Sequence, residues 1–343
     1  MTSILPGKSS FQKEFLPEKS MMQIINNSSE LYLLVDGGKS KTESVIIDST
    51  GQEIANSRGP GLEIIGSVNG YDRVIESLRA TFDQLPPIER FAGVAFGLNG
   101  AQAPSESADL AVKAISSLVK ADRFVIASDV VMNYLGALGN QPGIVVAAGT
   151  GSVVMAISRE GNPYRIDGDG PLFADRGSGY DIGRQGLRIA AMVDDGLPDG
   201  SIALHQAMIQ RFGTLEMAAN TVYSGSNPIE VVASFSRSVA EAARDGDQTS
   251  IEILRGAALD LARNVQAAAR RSNLAGAPFA FSTAGGLFNV GPLLEKPFFA
   301  FVSEFLPEAR YQKPLGGAIA GARIVALKYP QSLERVTTMV GAN

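Results

Sequence analysis

Two acidic residues stand where apolar strand-like segments end, a position from which a carboxylate can act on a ligand. Asp36 follows the apolar run 31–35, and Asp129 follows the run 124–127. A carboxylate beside a hydroxyl group can accept its proton as a general base, which is one role open to Asp129. A carboxylate can also hold Mg²⁺ directly or through water, the role expected for Asp36. Asp129 could equally cap a helix over 130–139, and the two roles are compatible.

Two glycine-rich turns between apolar strands have the composition of phosphate-binding loops. The first turn consists of Gly37, Gly38, Lys39, Ser40, Lys41 and Thr42, and the second consists of Gly149, Thr150, Gly151 and Ser152. Small residues let the backbone N–H groups approach an anion, and a concave set of such groups is an anion site. An ordinary hairpin turn is the alternative for either one. Two such turns, far apart in the chain, indicate two lobes that hold one nucleotide.

A third glycine pair follows the strand-like segment 279–282. Gly285 and Gly286 leave room for a flat base over the backbone, although a plain strand-to-helix turn has the same composition. A long stretch with alternating acidic and glycine residues, 167–183, precedes it in the chain and carries Asp169 and Asp175. Asp169 could be a solvated loop carboxylate, and Asp175 could serve only as a turn or cap residue.

The strands and helices that would position these groups are expected to occur in a similar order in the two halves of the chain. β-Branched runs and amphipathic segments predict strand, strand, strand, helix, strand, helix, strand from residue 31 onward, which indicates an α/β protein. We expect a flexible extension over 1–29, a first lobe over 30–139 and a second lobe over 140–327. A C-terminal helix over 328–343 is expected to complete the first lobe.

Composition narrows the class of protein. The chain has 343 residues, a formal net charge of −5 and no cysteine, and 45% of its residues are hydrophobic. This excludes disulfides, iron–sulfur clusters and thiolate-bound zinc, and it argues against nucleic acid or a membrane as the main partner. With no apolar segment typical of a signal peptide, the expected location is the cytoplasm.

The motifs together resemble a known superfamily, and they occur in its order. The actin-like ATPase and sugar-kinase superfamily has two phosphate loops, a strand-end aspartate and an adenosine motif, which resemble 36–42, 148–152, Asp129 and 282–287. The stretch 167–183 is similar to the signature of N-acetylglucosamine kinases and BadF-type ATPases. The match extends from about residue 31 to the C-terminal helix.

The resemblance implies a fold and an activity. The fold would be two ribonuclease H-like lobes, each a mixed five-stranded sheet flanked by helices, with a cleft between them. The activity would be transfer of phosphate from ATP, with Mg²⁺, to the C6 hydroxyl of glucosamine or N-acetylglucosamine. Asp129 would be the base, Asp36 would position the metal, and relatives imply a homodimer.

The resemblance also assigns the contacts of the sugar. Those residues would be Glu63, Asp129, Thr150, Gly168, Asp169 and Asp175. Amino-sugar kinases usually have tryptophan at the position of Asp169, glutamate at Arg176 and an asparagine in the loop that holds Leu62 and Glu63. Because an aspartate can pair with an ammonium group, these departures favour free glucosamine over N-acetylglucosamine.

Other activities of the same scaffold remain as alternatives. They are a BadF-type ATPase without sugar kinase activity, a kinase for another hexose, a non-enzymatic regulator, and an actin-like or chaperone ATPase. BadF-type activators bind an iron–sulfur cluster through cysteines, which this chain lacks. A regulator would need a DNA-binding module, for which residues 1–29 are too short.

Overall fold

The computed structural model describes residues 30–39, 41–100, 105–225, 227–330, 334 and 337–341. The expected extension 1–29 and Ser40 lie outside the described residues. No helix within the described ranges is long and apolar enough to cross a membrane.

Short runs rich in β-branched residues form the strands, as their composition predicts. In the described part of the chain these are β1 (Leu31–Gly37), β2 (Lys41–Asp48), β3 (Glu53–Pro60), β4 (Gly93–Leu98), β5 (Arg123–Ser128), β6 (Gly143–Ala148), β7 (Ser152–Ile157), β8 (Pro163–Asp167), β9 (Phe279–Ala284), β10 (Ala309–Tyr311) and β11 (Thr337–Gly341).

Amphipathic segments between the strands form the helices. They are α1 (Gly70–Phe82), α2 (Glu106–Ser116), α3 (Asp129–Leu138), α4 (Gly179–Asp194), α5 (Ile202–Phe212), α6 (Leu215–Ser224), α7 (Pro228–Ser234), α8 (Ser236–Arg244), α9 (Gln248–Arg271), α10 (Pro292–Phe305) and α11 (Ala318–Leu327). A short 3₁₀ helix, Gly286–Val290, follows β9.

The described strands form two mixed sheets with the same internal order. The first has the order β11-β5-β4-β1-β2-β3, and the second has the order β10-β9-β6-β7-β8. In each sheet three antiparallel strands are followed by two parallel ones. The expected α/β architecture of two related lobes is confirmed.

The C-terminal helix expected over 328–343 is wrong where the structure describes the segment. Thr337–Gly341 forms β11, which pairs antiparallel with β5 and gives the first sheet a sixth strand. The segment Thr-Thr-Met-Val is rich in β-branched residues, which favour a strand. The preceding helix α11 already ends at Leu327, and Pro330 disfavours a helical conformation for Tyr329.

The two sheets share one buried apolar cluster, which includes α3 and α11. Leu34 of the first sheet and Val145 of the second belong to this cluster, and both are fully buried. Helices α3 and α11 pack closely, since a Cβ atom on Gly321 would lie 2.0 Å from the carbonyl oxygen of Met132. The small residues of the segment 316–322 permit this close approach. Each lobe also has an apolar cluster of its own.

Candidate active site

The first glycine-rich turn connects β1 to β2 and is closed by its own backbone. The amide of Gly38 donates to the carbonyl oxygen of Lys41 at 3.1 Å, and the amide of Leu62 donates to the carbonyl oxygen of Gly38 at 2.9 Å. A Cβ atom on Gly37 would lie 2.4 Å from Leu62 Cδ1. A larger residue at position 37 would therefore have to displace the buried Leu62 side chain and would lie 3.1 Å from the carbonyl oxygen of Gly97.

The side chains of this turn differ in what they offer a ligand. Thr42 is fully buried, and its hydroxyl donates to the carbonyl oxygen of Pro60 at 2.6 Å. Lys41 forms an ion pair with Glu43 at 3.1 Å, whereas Lys39 is exposed to solvent. Lys39 and the backbone of the turn are thus the parts open to a ligand, since the Thr42 hydroxyl is already occupied.

The second glycine-rich turn, between β6 and β7, is attached to the start of α4. The amide of Gly149 donates to the carbonyl oxygen of Gly151, and the amides of Gly179 and Tyr180 donate to the carbonyl oxygens of Gly149 and Thr150, at 2.8–3.0 Å. Ser178 caps α4 by accepting from the amide of Asp181 at 3.2 Å. The turn and the N-terminus of α4 therefore form one rigid unit.

Gly285 lies against this unit from the other side. Its φ of +89° and the 2.2 Å from its ideal Cβ position to the carbonyl oxygen of Ala148 both require glycine. Gly286 begins the 3₁₀ helix and faces the same pocket as Gly149 and Thr150. The structure thus brings the predicted second phosphate turn and the predicted adenosine turn together.

Asp129 is the first residue of α3, directly after β5. Its carboxylate accepts from the amide of Val130 at 2.9 Å, and its backbone carbonyl oxygen accepts from Asn133 Nδ2 at 3.0 Å. Burial raises the pKa of the Asp129 carboxyl, while the Val130 amide and the positive charge of Arg165 lower it. The Asp129 carboxylate is therefore hydrogen-bonded to the first turn of α3. Its charge also interacts with Arg165 and with Asp36.

Asp36 lies at the end of β1, at the same sheet edge. Its strand register places it opposite Gly97 of β4, which in turn is opposite Ala127 of β5. Burial and the negative charge of Asp129 raise the pKa of Asp36 to about 6. Its carboxylate accepts no hydrogen bond from another described residue, so a cation beside it would relieve both effects.

Asp36 is the candidate for holding Mg²⁺, and the donor set suits that ion. Among the described residues, no group of three or more His, Cys, Asp or Glu side chains could hold a metal by itself. Mg²⁺ commonly uses one or two carboxylates together with substrate phosphates and water. A single half-buried carboxylate next to the first glycine-rich turn fits that pattern.

Asp167, the last residue of β8, holds the stretch that follows it in a closed loop. The Asp167 carboxylate accepts from the amides of Gly168, Asp175 and Arg176 and from Asn264 Nδ2, at 2.7–3.1 Å. Its side chain is completely buried and lies 3.5 Å from the Arg176 guanidinium. Asp167 thus fixes both ends of the loop 168–175.

Asp175 lies at the base of this loop and faces the second turn. Its Oδ2 would be 2.8 Å from a Cβ atom on Gly151, and the amide of Ser152 bonds to its carboxylate. Burial raises the pKa of Asp175, and the charges of Lys39 and Arg165 lower it. Because Lys39 belongs to the first lobe, its influence on Asp175 indicates that the two turns face each other across the cleft.

Arg165 of β8 is a central residue that the sequence analysis missed. Its guanidinium donates to the carbonyl oxygen of Gly168 and lies 3.6 Å from Asp169 Oδ1. Its charge acts on both Asp129 and Asp175, which belong to different lobes. A basic residue two positions before the acidic stretch was the available signal.

Two predicted sugar contacts face solvent in this structure. The side chain of Asp169 is 71% exposed, and its one described ion pair is with Arg165. Glu63 forms an exposed ion pair with Arg73 at 2.9 Å. Gly168, by contrast, is packed against Val153, and its positive φ of +84° suits glycine.

A pocket of about 600 Å³ adjoins the second turn. Elements α7, α8 and the 3₁₀ helix also line this pocket and contribute Ser234, Arg237, Glu241, Arg244, Leu287 and Asn289. The sequence analysis did not identify these residues. Polar residues recurring along one face of α8 were the available signal.

Comparisons with known proteins find relatives that are named as amino-sugar kinases. A kinase from Clostridium acetobutylicum, named N-acetylmuramic acid/N-acetylglucosamine kinase, is 27% identical over 240 residues, 70% of this chain and 78% of that protein. An N-acetyl-D-glucosamine kinase from Dictyostelium discoideum is 30% identical over 172 residues, 47% of this chain and 54% of that protein.

Solved structures show the same fold. The structure of a candidate N-acetylglucosamine kinase from Chromobacterium violaceum has a TM-score of 0.69 and 25% identity, covering 86% of this chain and 98% of its own. A ROK family glucokinase from Streptomyces griseus, solved with glucose and AMPPNP, has a TM-score of 0.53 and 16% identity, covering 86% and 99%.

The family model that matches the sequence spans most of both lobes, from residue 35 to residue 315. This confirms the resemblance drawn from the ordered motifs. The chain belongs to the BadF/BadG/BcrA/BcrD ATPase family.

Proposed function

We propose that this protein transfers the γ-phosphoryl group of ATP to the C6 hydroxyl of an N-acetylglucosamine-type sugar. The observation that carries the proposal is the position of Asp129. It lies at the edge of the first sheet, within the electrostatic reach of Asp36 from its own lobe and of Arg165 from the other. The names of the relatives from Clostridium and Dictyostelium support the sugar class.

The nucleotide would occupy the pocket beside the second turn. Its base would lie towards Gly286, and its phosphates would contact the backbone of Gly149–Ser152 and of the first turn. Lys39 would balance negative charge that develops on the γ-phosphate. Asp36 would hold Mg²⁺, which, when bound, neutralises charge on the phosphate oxygens.

The sugar would lie between Asp129 and the loop fixed by Asp167. Asp129 would accept the hydroxyl proton as the sugar oxygen bonds to the γ-phosphorus and the bond to the ADP oxygen breaks. Arg165 would keep Asp129 ionised by opposing the effect of burial on its pKa. The Asp175 carboxylate would accept hydrogen bonds from sugar hydroxyls, and the carbonyl oxygen of Gly168, which already accepts from Arg165, would accept one more.

The lobe boundaries belong to the same proposal. Residues 30–139 with 337–341 would form the first lobe, and residues 140–327 would form the second, because the strands of the two sheets separate at this point of the chain. The shared cluster around α3 and α11 would be the hinge for lobe closure, which excludes water from the phosphoryl group.

The test is ADP release from Mg-ATP with a panel of N-acetylglucosamine, N-acetylmuramic acid, glucosamine and glucose, followed by NMR of the product. We expect sugar-dependent release and a phosphate ester at C6. Asp129→Asn should lower kcat about 10²–10⁴-fold, with a much smaller change in KM for the sugar. Exposed Asp109→Asn is the matched control and should keep wild-type rates.

Two outcomes would contradict the proposal. ADP release that is equally fast without any sugar would favour an ATPase. Near wild-type turnover by Asp129→Asn would remove this residue as the base.

A further inference from the structure

Each lobe exposes a pair of large apolar side chains in a loop. The first pair, Ile64 and Val68, precedes α1, and the two side chains are 54% and 87% exposed. The second pair, Leu172 and Phe173, belongs to the loop 168–175, and each side chain is 84% exposed. Single exposed apolar residues are common on protein surfaces, whereas grouped ones often mark a surface that another group covers.

The first pair lies in a segment that is anchored at the edge of the first sheet. The neighbouring residues Leu62 and Ile65 are buried in the apolar cluster of the first lobe. The amide of Leu62 donates to the carbonyl oxygen of Gly38 in the first turn at 2.9 Å. Ile64 Cγ2 would lie 3.5 Å from a Cβ atom on Gly100, just beyond the end of β4. The pair is therefore held beside the ends of β1 and β4, at the cleft.

The second pair lies at the tip of the loop that Asp167 closes. The amides of Phe173 and Ala174 donate to the carbonyl oxygen of Gly170 at 3.2 and 2.8 Å, which forms a tight turn at the tip. At the base of the loop, the Asp175 carboxylate accepts from the second glycine-rich turn. The loop is thus fixed at both places, and it holds its apolar pair in solvent.

The two loops face each other across the cleft at their bases. Lys39 follows Gly38, which binds the first segment, and the charge of Lys39 interacts with Asp175 of the second loop. Arg165, in the strand that leads into the second loop, interacts in the same way with Asp129 of the first lobe. Both interactions cross the cleft, so the two apolar pairs stand on opposite sides of one opening.

We propose that the two apolar pairs pack against each other when the lobes close, and that this contact seals the mouth of the cleft over the sugar. This inference rests on the proposed function, because it takes the bound sugar and nucleotide as the cause of closure. Burial of apolar surface between the two loops favours the closed state. The seal also keeps water from the γ-phosphate, where water would compete with the sugar hydroxyl.

Replacement of one side chain from each pair tests the seal by kinetics. Val68→Ser and Phe173→Ser should each raise the sugar KM, by about tenfold or more for Phe173, because closure then buries less apolar surface. The ratio of ADP to sugar phosphate should rise above one, since water enters through the open mouth. The double variant should lose less than the product of the two single losses, because each side chain lacks its partner once the other is removed.

Two equally exposed apolar residues serve as matched controls. Ile202 on α5 and Met339 on β11 are 60% and 51% exposed. Ile202→Ser and Met339→Ser should keep the wild-type KM, and Val68→Ser combined with Ile202→Ser should behave additively. The replaced side chains all face solvent in the free protein, so the thermal melt without ligands should not change. A loss of stability in ligand-free Phe173→Ser would mean that this side chain is already packed, which contradicts the seal.

A pair of introduced cysteines measures the contact itself, because the chain has no cysteine of its own. A disulfide needs two Cα atoms within about 7 Å of each other. Val68→Cys with Phe173→Cys should therefore form an intramolecular disulfide faster with N-acetylglucosamine and Mg-AMPPNP than without them. Val68→Cys with Tyr223→Cys, at an exposed position of α6, should show no such acceleration.

The outcomes separate the seal from the proposed function. Suppose that the wild type phosphorylates the sugar, that Phe173→Ser keeps the wild-type KM and ADP ratio, and that ligands do not accelerate the disulfide. That result would overturn the inference and leave the kinase proposal standing. Disulfides between two chains would assign the apolar pairs to contact with a second copy and would also overturn the inference. Failure of the wild type to phosphorylate any sugar would overturn both.

Discussion

Asp36 and Asp129 lie at the same edge of the first sheet with strand β4 between them, and burial together with the charge of Asp129 raises the pKa of Asp36 to about 6. Neighbouring strands are about 4.8 Å apart, so the two backbones are separated by about 10 Å. Two carboxylates kept this close in a partly buried cleft reduce stability when both are ionised. Such an arrangement is typical of sites that bind a cation and act on a proton.

The raised pKa of Asp36 predicts how stability depends on pH in the metal-free protein. A carboxyl whose pKa is higher in the folded state contributes stability below its unfolded value near 4, and this is lost as pH rises through about 6. Asp36→Asn removes that loss. We expect the variant to exceed wild type by about 1–3 kcal/mol at pH 7 and to match it near pH 4.

Urea unfolding with EDTA at pH 4, 5, 6 and 7 measures this difference. Asp109→Asn, an exposed replacement on α2, should give curves parallel to those of wild type. A constant difference between Asp36→Asn and wild type at all four pH values would contradict the assigned pKa. Added Mg-ADP should stabilise wild type more than the Asp36→Asn variant.

Arg165 predicts a shift of the acid limb of activity. Its positive charge lowers the pKa of Asp129, so Arg165→Gln should raise that pKa and move the acid limb of kcat/KM to higher pH. At pH values below the pKa of Asp129, kcat/KM should fall about tenfold for each pH unit by which the variant raises that pKa. Arg165→Lys should restore most of the wild-type profile. A uniform loss of activity with an unmoved limb would mean that Arg165 is only structural.

Asp167 and Asp169 provide a matched pair of replacements in one loop. Asp167 is buried with four hydrogen-bond donors, so Asp167→Asn should destabilise the protein by about 2–4 kcal/mol and raise the sugar KM at least about tenfold. Asp169 is exposed, and Asp169→Asn should change stability by less than about 0.5 kcal/mol. Thermal melts and sugar kinetics measure both. Equal effects of the two replacements would refute the assigned role of Asp167.

Two glycine replacements should change stability in opposite directions. A Cβ atom on Gly321 would lie 2.0 Å from the Met132 carbonyl oxygen, so Gly321→Ala must separate α3 from α11 and should cost at least about 2 kcal/mol. Gly256 in α9 has nothing within 4 Å of its Cβ position, and Gly256→Ala should add about 0.5–1 kcal/mol. Denaturant unfolding compares the two. A stable Gly321→Ala protein would refute the close helix crossing.

Local sequence was sufficient to predict the strands of both sheets except β11, most of the helices and the positions of the glycine-rich turns. Alternating apolar and polar residues, runs of β-branched residues and glycine pairs indicate backbone conformations that depend mainly on residues close in sequence. The order of the motifs along the chain was sufficient to identify the family. The strand Thr337–Gly341 was missed although its β-branched residues favour a strand, because the expected C-terminal helix came from the resemblance to the superfamily; pairing with β5, about two hundred residues earlier, decides its conformation.

Only the tertiary structure decided which side chains act together. Lys39 and Asp175 belong to different lobes, and their interaction depends on how the lobes pack around α3 and α11. Arg165 and the polar face of α8 left only weak local signals, a basic residue before an acidic stretch and polar residues on one side of a helix, and neither signal says which groups they lie near in space. Electrostatic interactions depend on distance in space and on burial, and neither quantity is written in the order of the residues.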